Sequence, residues 1–432
     1  MSGPVVLVCS CTGVGMDPAK ARPGTIQTFR LDPRSAQLEP LCGPIPAGRK
    51  VQWAAGCPSK CAVYVLENDS EMDGKLKAYH IDGATGRLSY LNEITMGCWA
   101  CHCQVDLTGR WVIANDYGKR PGAAHVAAFS ILPDGQIGPA ASRCLCDPES
   151  TQDGARYDQD PGRQDASHPH MVCLDPTNRF LLVPDLGQDL IVTFSFDAAT
   201  GDIRRLPTMD SARTHPGSGP RHVCFHSDGR YAFSVNELDS TVTPFLFDAD
   251  AGGLIAGEEC SCLPPGFDCA QNGPWGESGL PSHAAAITCV GEFVYASNRG
   301  SDTIATFQII GSGGGNNRPP ALRHIGDTLA GGALPWAIEA VSFSDSKAVE
   351  AGAGNLVLTS SQFSLASAGL ASRPPVGPGT VACHRVGAGG ILEAPACSVA
   401  VDDCMFVGLF SPNVWTARLG SAAHDGGVDA KL

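Results

Sequence analysis

Ser167–Gly187 reads SHPHMVCLDPTNRFLLVPDLG, and Gly219–Phe245 reads GPRHVCFHSDGRYAFSVNELDSTVTPF. Each has the outline of a β-hairpin. In the second, the apolar run Val223–Phe225 meets a tight polar turn at His226–Gly229, and Tyr231–Val235 returns. A turn centred near Gly229 sets Arg221 opposite Glu237, and one centred near Asn178 sets His170 beside Asp185 and Leu186. Two hairpins thereby carry a His, an Arg and a Glu to equivalent open ends.

The same unit recurs. DLTGRWVIANDYG at Asp106–Gly118, DPTNRFLLVPDLG at Asp175–Gly187 and HSDGRYAFSVNEL at His226–Leu238 are versions of one pattern, and GEFVYASNRG at Gly291–Gly300 is a fourth with a shortened turn. Each continues into a further apolar run (HVAAFSI, LIVTFSFD, TVTPFLFD, TIATFQII) and then a turn, which makes four strands per unit. VQWAAGCPSKCAVYVLEND with KLKAYHIDGATGRL supplies an earlier unit, and LPWAIEAVSF with NLVLTSSQFS and TVACHRV a later, divergent one. VVLVCSCTG and TIQTFRLDPRSAQL at the start lack a first strand, which CMFVGLF near the C-terminus can supply. The expectation is an all-β, seven-bladed β-propeller of four-stranded antiparallel blades. Its ring is closed by strands from both chain ends, so no long sheet edge is left open. Residues 1–410 form it, and 411–432 are expected to be a loosely ordered tail. A doubly wound α/β fold needs amphipathic helices between strands, and none of sufficient length is present.

Composition agrees. The 432 residues are 43% hydrophobic and include 51 Gly and 32 Pro, which suits many short strands and turns. A formal charge of −14 argues against a nucleic-acid partner and obliges any anion site to rest on local Arg, His or Lys. No apolar run approaches the ~18 residues of a membrane-spanning helix. The opening MSGPVVLVCSCTG lacks the basic start and long apolar stretch of a secretory signal. Several of the 19 Cys fall in apolar strands, as buried thiols of a reducing compartment do. The cytoplasm is the expected location. The ending Ala430-Lys431-Leu432 resembles a peroxisomal tripeptide and gives peroxisomal import as the alternative.

Aligning the units by their turn arginines (Arg110, Arg179, Arg230) puts Cys101, His170 and Arg221 at one strand position. Asp116, Leu186, Glu237 and Arg299 then share the place just past the second strand. If first strands line a central channel, His170, Arg221, Glu237 and Arg299 ring one mouth: cations to hold an anion or polarise a carbonyl, and groups able to move protons. An Arg–Glu pair across a hairpin is also a common structural ion pair. The neighbours His102, Met171 and His222 point the other way by alternation, which sets His222 between blades or toward a ligand. His168, His222 and Asn236 are the expected substrate contacts. Cys98-Trp99-Ala100-Cys101-His102 matches a haem-attachment spacing, but its Cys-His pair falls on a repeat strand. Zinc lacks a second ligand pair there. No metal or cofactor is expected.

RQDASHPHMVCLDPTNRFLLVPDLGQD, GPRHVCFHSDGRYAFSVNELDSTV and YASNRGSDTIATF resemble the lactonase-type seven-bladed propeller family. That family includes the propeller 6-phosphogluconolactonases and is similar to fungal carboxymuconate lactonising enzymes. The resemblance runs from Val5 to about Phe343 and implies a mouth site at His170, Arg221, Glu237 and Arg299. Two departures stand out: Ala286 lies where the family carries an acidic residue, and Pro335-Trp336-Ala337 with Ser361-Gln362 replaces a PRH…ANQ pattern. The resemblance implies hydrolysis of a small anionic sugar lactone, 6-phosphogluconolactone first, within the oxidative pentose phosphate route. In that scheme Arg221 meets the carbonyl, Arg299 an anionic group, and Glu237 or His170 is the base. The alternatives are lactonising cyclisation of an unsaturated dicarboxylate by the same residues, and a non-catalytic binding platform.

Overall fold

A computed structural model describes residues 4–10, 23–48, 50–68, 73–118, 122–146, 162–207, 212–267, 283–311, 317–342, 354–363, 378–401 and 404–410. The expected tail at 411–432, with its terminal tripeptide, lies outside them.

The strands form seven antiparallel sheets, each with a first strand at the centre of the ring. Blade 1 is the composite one: Cys404–Phe410 pairs with Val5–Ser10 in the register Val5↔Phe410 and Val8↔Val407, followed by Thr25–Asp32 and Gln37–Pro46. The chain ends therefore close the ring through ladder hydrogen bonds. The first strands of blades 2 to 7 are Lys50–Cys57, Ala100–Val105, Cys173–Leu174, Pro220–Phe225, Ala284–Val290 and Ala333–Val341. Blade 5 adds a short fifth strand, Cys260–Ser261.

Apolar side chains from facing sheets interlock between blades. Ile113, Val126 and Ala128 of blade 3 meet Leu182 and Phe194 of blade 4, and Phe233 and Val242 of blade 5 meet Val294 and Phe307 of blade 6. Full burial of each Val, Ile, Leu or Phe among them contributes about 1.5–3 kcal/mol.

The repeated turn has a mechanical explanation. The Asp175 carboxylate accepts from the backbone N–H of Thr177, Arg179 and Phe180, and Asp106 does the same for Thr108, Arg110 and Trp111. Gly109, Asn178 and Gly229 sit at the turn position with φ of 67°, 60° and 71°, which Gly or Asn tolerates best. The arginine that follows reaches the next blade: Arg110 donates to Ala198 O and Arg179 to Ala249 O, both at 2.5 Å.

At the opposite face the blades are tied by asparagines. Asn68 exchanges two hydrogen bonds with Ala100 of blade 3. Asn115, fully buried, donates to Pro169 O at 2.6 Å and accepts from His102 N–H. Asn115→Ala would strand both backbone groups away from water, at about 1–3 kcal/mol. The expected result is a lower thermal midpoint and reduced order in the Ser167–His170 segment, measured by calorimetry and hydrogen exchange.

Candidate active site

At the mouth defined by the N-terminal ends of the first strands, one feature repeats around the ring. The register of each first strand slips there by a residue. The slips fall at Gln52, Cys101, Arg221, Ala285–Ala286, Trp336 and Met405 in blades 2, 3, 5, 6, 7 and 1. In blade 4 the equivalent place is His170, between the Pro169↔Asp185 bridge and the Cys173↔Leu182 pair. Pro169 and Pro184 each lack an N–H, so the ladder cannot run through here and the first strand shortens to Cys173–Leu174. The His170 N–H donates to Pro184 O at 2.9 Å. A bulge re-aims the side chain of its extra residue, and those at Cys101, His170, Arg221 and Trp336 gather their side chains at the mouth.

Arg221 and Glu237 are consequently not cross-strand partners as simple hairpin counting expects. Pro220 pairs with Asn236, and the bulged Arg221 reaches Glu237 through its side chain, Nε to Oε2 at 2.9 Å. Register also corrects the alignment of Asp116, because Ala100↔Asp116 is equivalent to Pro169↔Asp185 and Pro220↔Asn236. Tyr117, not Asp116, therefore holds the place of Leu186, Glu237 and Arg299. Asp116 instead anchors a mouth loop by accepting from the N–H of Cys98 and Trp99.

Glu237, 2% exposed, is the hub. Arg163 Nη2 donates to its Oε1 at 2.6 Å, Arg299 Nη2 lies 3.0 Å from the same oxygen, and His283 Nδ1 lies 3.9 Å away. Burial alone would raise the Glu237 pKa, but Arg163, Arg299 and Arg221 carry it well below the carboxylate range. Three guanidiniums and one carboxylate leave two excess positive charges, a local reversal of the chain's overall charge of −14.

The arginines are not alike. Burial pushes Arg221 down to about 10, against Glu237 and helped by Arg299, so it stays charged at neutral pH. Arg221 Nη1 donates to Ala285 O and to His222 Nε2, while Arg299 donates to His283 O and Ala284 O. Among the described residues, Arg221 Nη2 and Arg299 Nη1 keep their protons uncommitted. Trp336 covers this side: its ring lies 4.4 Å from the Arg299 guanidinium carbon and 5.6 Å from that of Arg221, and its Nε1–H donates to Gln362.

His170 is enclosed by protein yet keeps part of its surface open to solvent. Burial, then Arg221, pushes its pKa well below the ordinary histidine value, with Glu237 opposing, so the ring is neutral at pH 7. Its Nδ1 lies 3.5 Å from Cys101 Sγ. Beneath, Trp53, His102, His222 and Phe406, drawn from blades 2, 3, 5 and 1, meet in the channel; Trp53 lies 4.2 Å from His102, 5.3 Å from His222 and 4.6 Å from Phe406. They form a floor beneath His170 and the arginine cluster, and among the described residues the site has the form of a cup.

Of the sequence-derived candidates, His170, Arg221, Glu237 and Arg299 come together. His222 lies in the channel floor under Arg221, not between blades, and its Nε2 accepts from that arginine. His168 and Asn236 do not fit the role of substrate contacts. His168 stacks on Tyr117 at 4.5 Å, and its two ring nitrogens face Tyr117 O and Asp165. The Asn236 amide donates to Thr241 and Thr243 within its own blade. Arg163 and His283 were missed: both precede the first strands of their blades, where periodicity gives no signal. Among the described residues no three His, Cys, Asp or Glu side chains are placed to hold a metal.

Comparison with known proteins agrees with this architecture. The family model described as Lactonase, 7-bladed beta-propeller matches residues 6–338. A 6-phosphogluconolactonase of Bacillus subtilis (strain 168) is 29% identical over 248 residues, 57% of this chain and 63% of that protein, so the match spans under two thirds of its length. One from Formosa agariphila is 27% identical over 68% of this chain and 77% of its own. Among solved structures, a Lactobacillus plantarum protein superposes with TM-score 0.71 at 22% identity, covering 95% of this chain and all (100%) of its own. The Pseudomonas aeruginosa periplasmic gluconolactonase gives 0.70 at 21% identity, over 94% and 99%. Both structural likenesses concern the fold.

Proposed function

The chain belongs to the seven-bladed β-propeller lactonase family, and on that premise we propose that it hydrolyses a sugar lactone, 6-phosphogluconolactone first among the candidates. The observation that carries this reading is a neutral His170 beside an arginine cluster whose net charge is positive. A lactone is an ester held in a ring, so attack of water develops charge on the carbonyl oxygen. Preorganised donors at that point lower the barrier. The uncommitted N–H groups of Arg221 and Arg299 suit that task.

The base is better assigned to His170 than to Glu237. A general base needs a lone pair available near the working pH. Glu237 is held as a carboxylate and engaged by three arginines, which makes it a poor proton acceptor and an effective clamp on their positions. In this scheme His170 takes the proton of the attacking water as the tetrahedral adduct forms. It then returns that proton to the ring oxygen as the C–O bond breaks, leaving the hydroxy acid. Arg163, on the rim, is suited to a further anionic group of the substrate.

The names of the curated relatives support the phosphorylated substrate, which would place the step in the oxidative pentose phosphate route. Trp336 supports a second reading, an unphosphorylated aldonolactone, because an aromatic face covers Arg299 and Arg221 at the bulge of blade 7.

The test is hydrolysis of freshly generated 6-phosphogluconolactone and of glucono-δ-lactone, each against its spontaneous rate. Wild type is expected to accelerate at least one, and Arg221→Ala to lose about 10²–10³-fold. Trp336→Arg is expected to raise the preference for the phosphorylated lactone by roughly the 10-fold that one added charge contact supports. A wild type that matches the spontaneous rate on both lactones would overturn the reading.

A further inference from the structure

Cys101 takes no part in the scheme above, yet it occupies the bulge of blade 3, next in the ring to His170. Its Sγ lies 3.5 Å from His170 Nδ1, within reach of a sulfur hydrogen bond, and the residue is 7% exposed. Arg221 is the corresponding bulge residue of blade 5, on the other side of His170 in the ring. A thiol, an imidazole able to accept its proton and a guanidinium able to hold a carboxylate therefore share one cup. Reactive cysteines occupy electropositive, partly accessible settings of this kind, and a nucleophile within hydrogen-bond reach of a base is the geometry of covalent capture. Among the described thiols, burial raises the pKa of Cys224, Cys262 and Cys103, and Cys61 is exposed.

We propose that Cys101 is a covalent modification site for small carboxylates bearing an electrophilic carbon, with His170 as its base and the arginine cluster as its carboxylate receptor. With an α-halo acid, the sulfur pair forms a C–S bond and halide departs with the C–X pair. The thiol proton passes to His170 and on to water. With an α,β-unsaturated acid, sulfur adds at the β-carbon, the π pair moves to the α-carbon, and His170 delivers the thiol proton there. The adduct fills the cup, so modification and loss of the mouth site go together. The proposal rests on the geometry of the mouth, not on lactone turnover.

The probes are iodoacetate and uncharged iodoacetamide, applied to the whole protein, with labelling of each cysteine peptide followed by mass spectrometry. Iodoacetate is expected to label Cys101 about 10-fold or more faster than iodoacetamide, the scale of electrostatic guidance into a charged cleft. At exposed Cys61 the order should be reversed. Cys101→Ala should remove the fast-labelled peptide and leave the other peptides unchanged. Sodium acetate in excess should slow labelling at Cys101 and not at Cys61. An unlabelled Cys101, or one labelled no faster by iodoacetate, overturns the proposal. Because the readout is adduct mass, failure of the proposed hydrolysis leaves this result intact, and the reverse also holds.

Discussion

Glu237→Gln is expected to cost both stability and activity, and the two losses should be linked. The carboxylate is 2% exposed and neutralises part of a cluster that contains Arg163, Arg221 and Arg299. An amide of the same shape keeps one acceptor oxygen, points N–H groups at guanidinium donors, and leaves three cations to repel one another. Removing one partner of a buried ion pair costs about 3–5 kcal/mol, which should lower the thermal midpoint by roughly 5 °C or more. Displaced arginines would cost hydrolysis about 10²-fold, the scale of a small misplacement of catalytic groups. The pH dependence separates this role from proton transfer. Glu237 has its folded pKa well below the ordinary 4.5. Its contribution to stability is therefore complete above the unfolded value and is lost as pH falls through the folded one, below pH 4.5. Denaturation at pH 7 and pH 3.5 should show a smaller pH effect in Glu237→Gln than in wild type. A variant with wild-type stability and no activity would mean that Glu237 is the base and not the clamp.

The seven-bladed architecture was legible because its strongest signal is local and repeated. The Asp-x-x-Gly/Asn-Arg turn recurs in near-identical form, and the physics that preserves it, an Asp capping three N–H groups and an Arg reaching the next blade, acts within a few residues. The closing strand Cys404–Phe410 was legible for a different reason: a blade without a first strand demands one. The site was only partly legible. Counting along an ideal hairpin brings Arg221 near Glu237, but the bulge at Arg221 is what makes the contact, and a bulge shifts register without altering composition. Tyr117, by contrast, was legible from spacing alone, since it lies seven residues past Arg110 as Leu186 and Glu237 lie seven past Arg179 and Arg230, and Asp116 lies only six. Arg163 and His283 sit in loops, where no periodicity marks a side chain that returns to the mouth. His168 and Asn236 looked like ligand contacts because of their neighbours. Their polar atoms serve Tyr117, Asp165, Thr241 and Thr243 instead, and a sequence cannot display which partner a polar group chooses.

His170→Gln should isolate the proton-transfer step. The substitution keeps size and polarity but removes a titratable group from a segment tied down by Pro169, Asp185 and the Pro184 carbonyl, so the fold should tolerate it. The expected loss in kcat is about 10²–10⁴-fold, the usual contribution of a positioned general base. The wild-type pH profile supplies the independent check. Burial, then Arg221, lowers the His170 pKa well below 6.5. The free base therefore persists at acidities that protonate an ordinary histidine, and activity should hold through pH 6.5 and fall only below it. In His170→Gln that acid limb should vanish from the residual rate. Arg221→Ala should move it upward, because removing a neighbouring cation eases protonation. If instead the wild-type limb sits at the ordinary histidine value, or survives unchanged in His170→Gln, the titrating group is another residue, and the part assigned to His170 falls while the arginine clamp around Glu237 still stands.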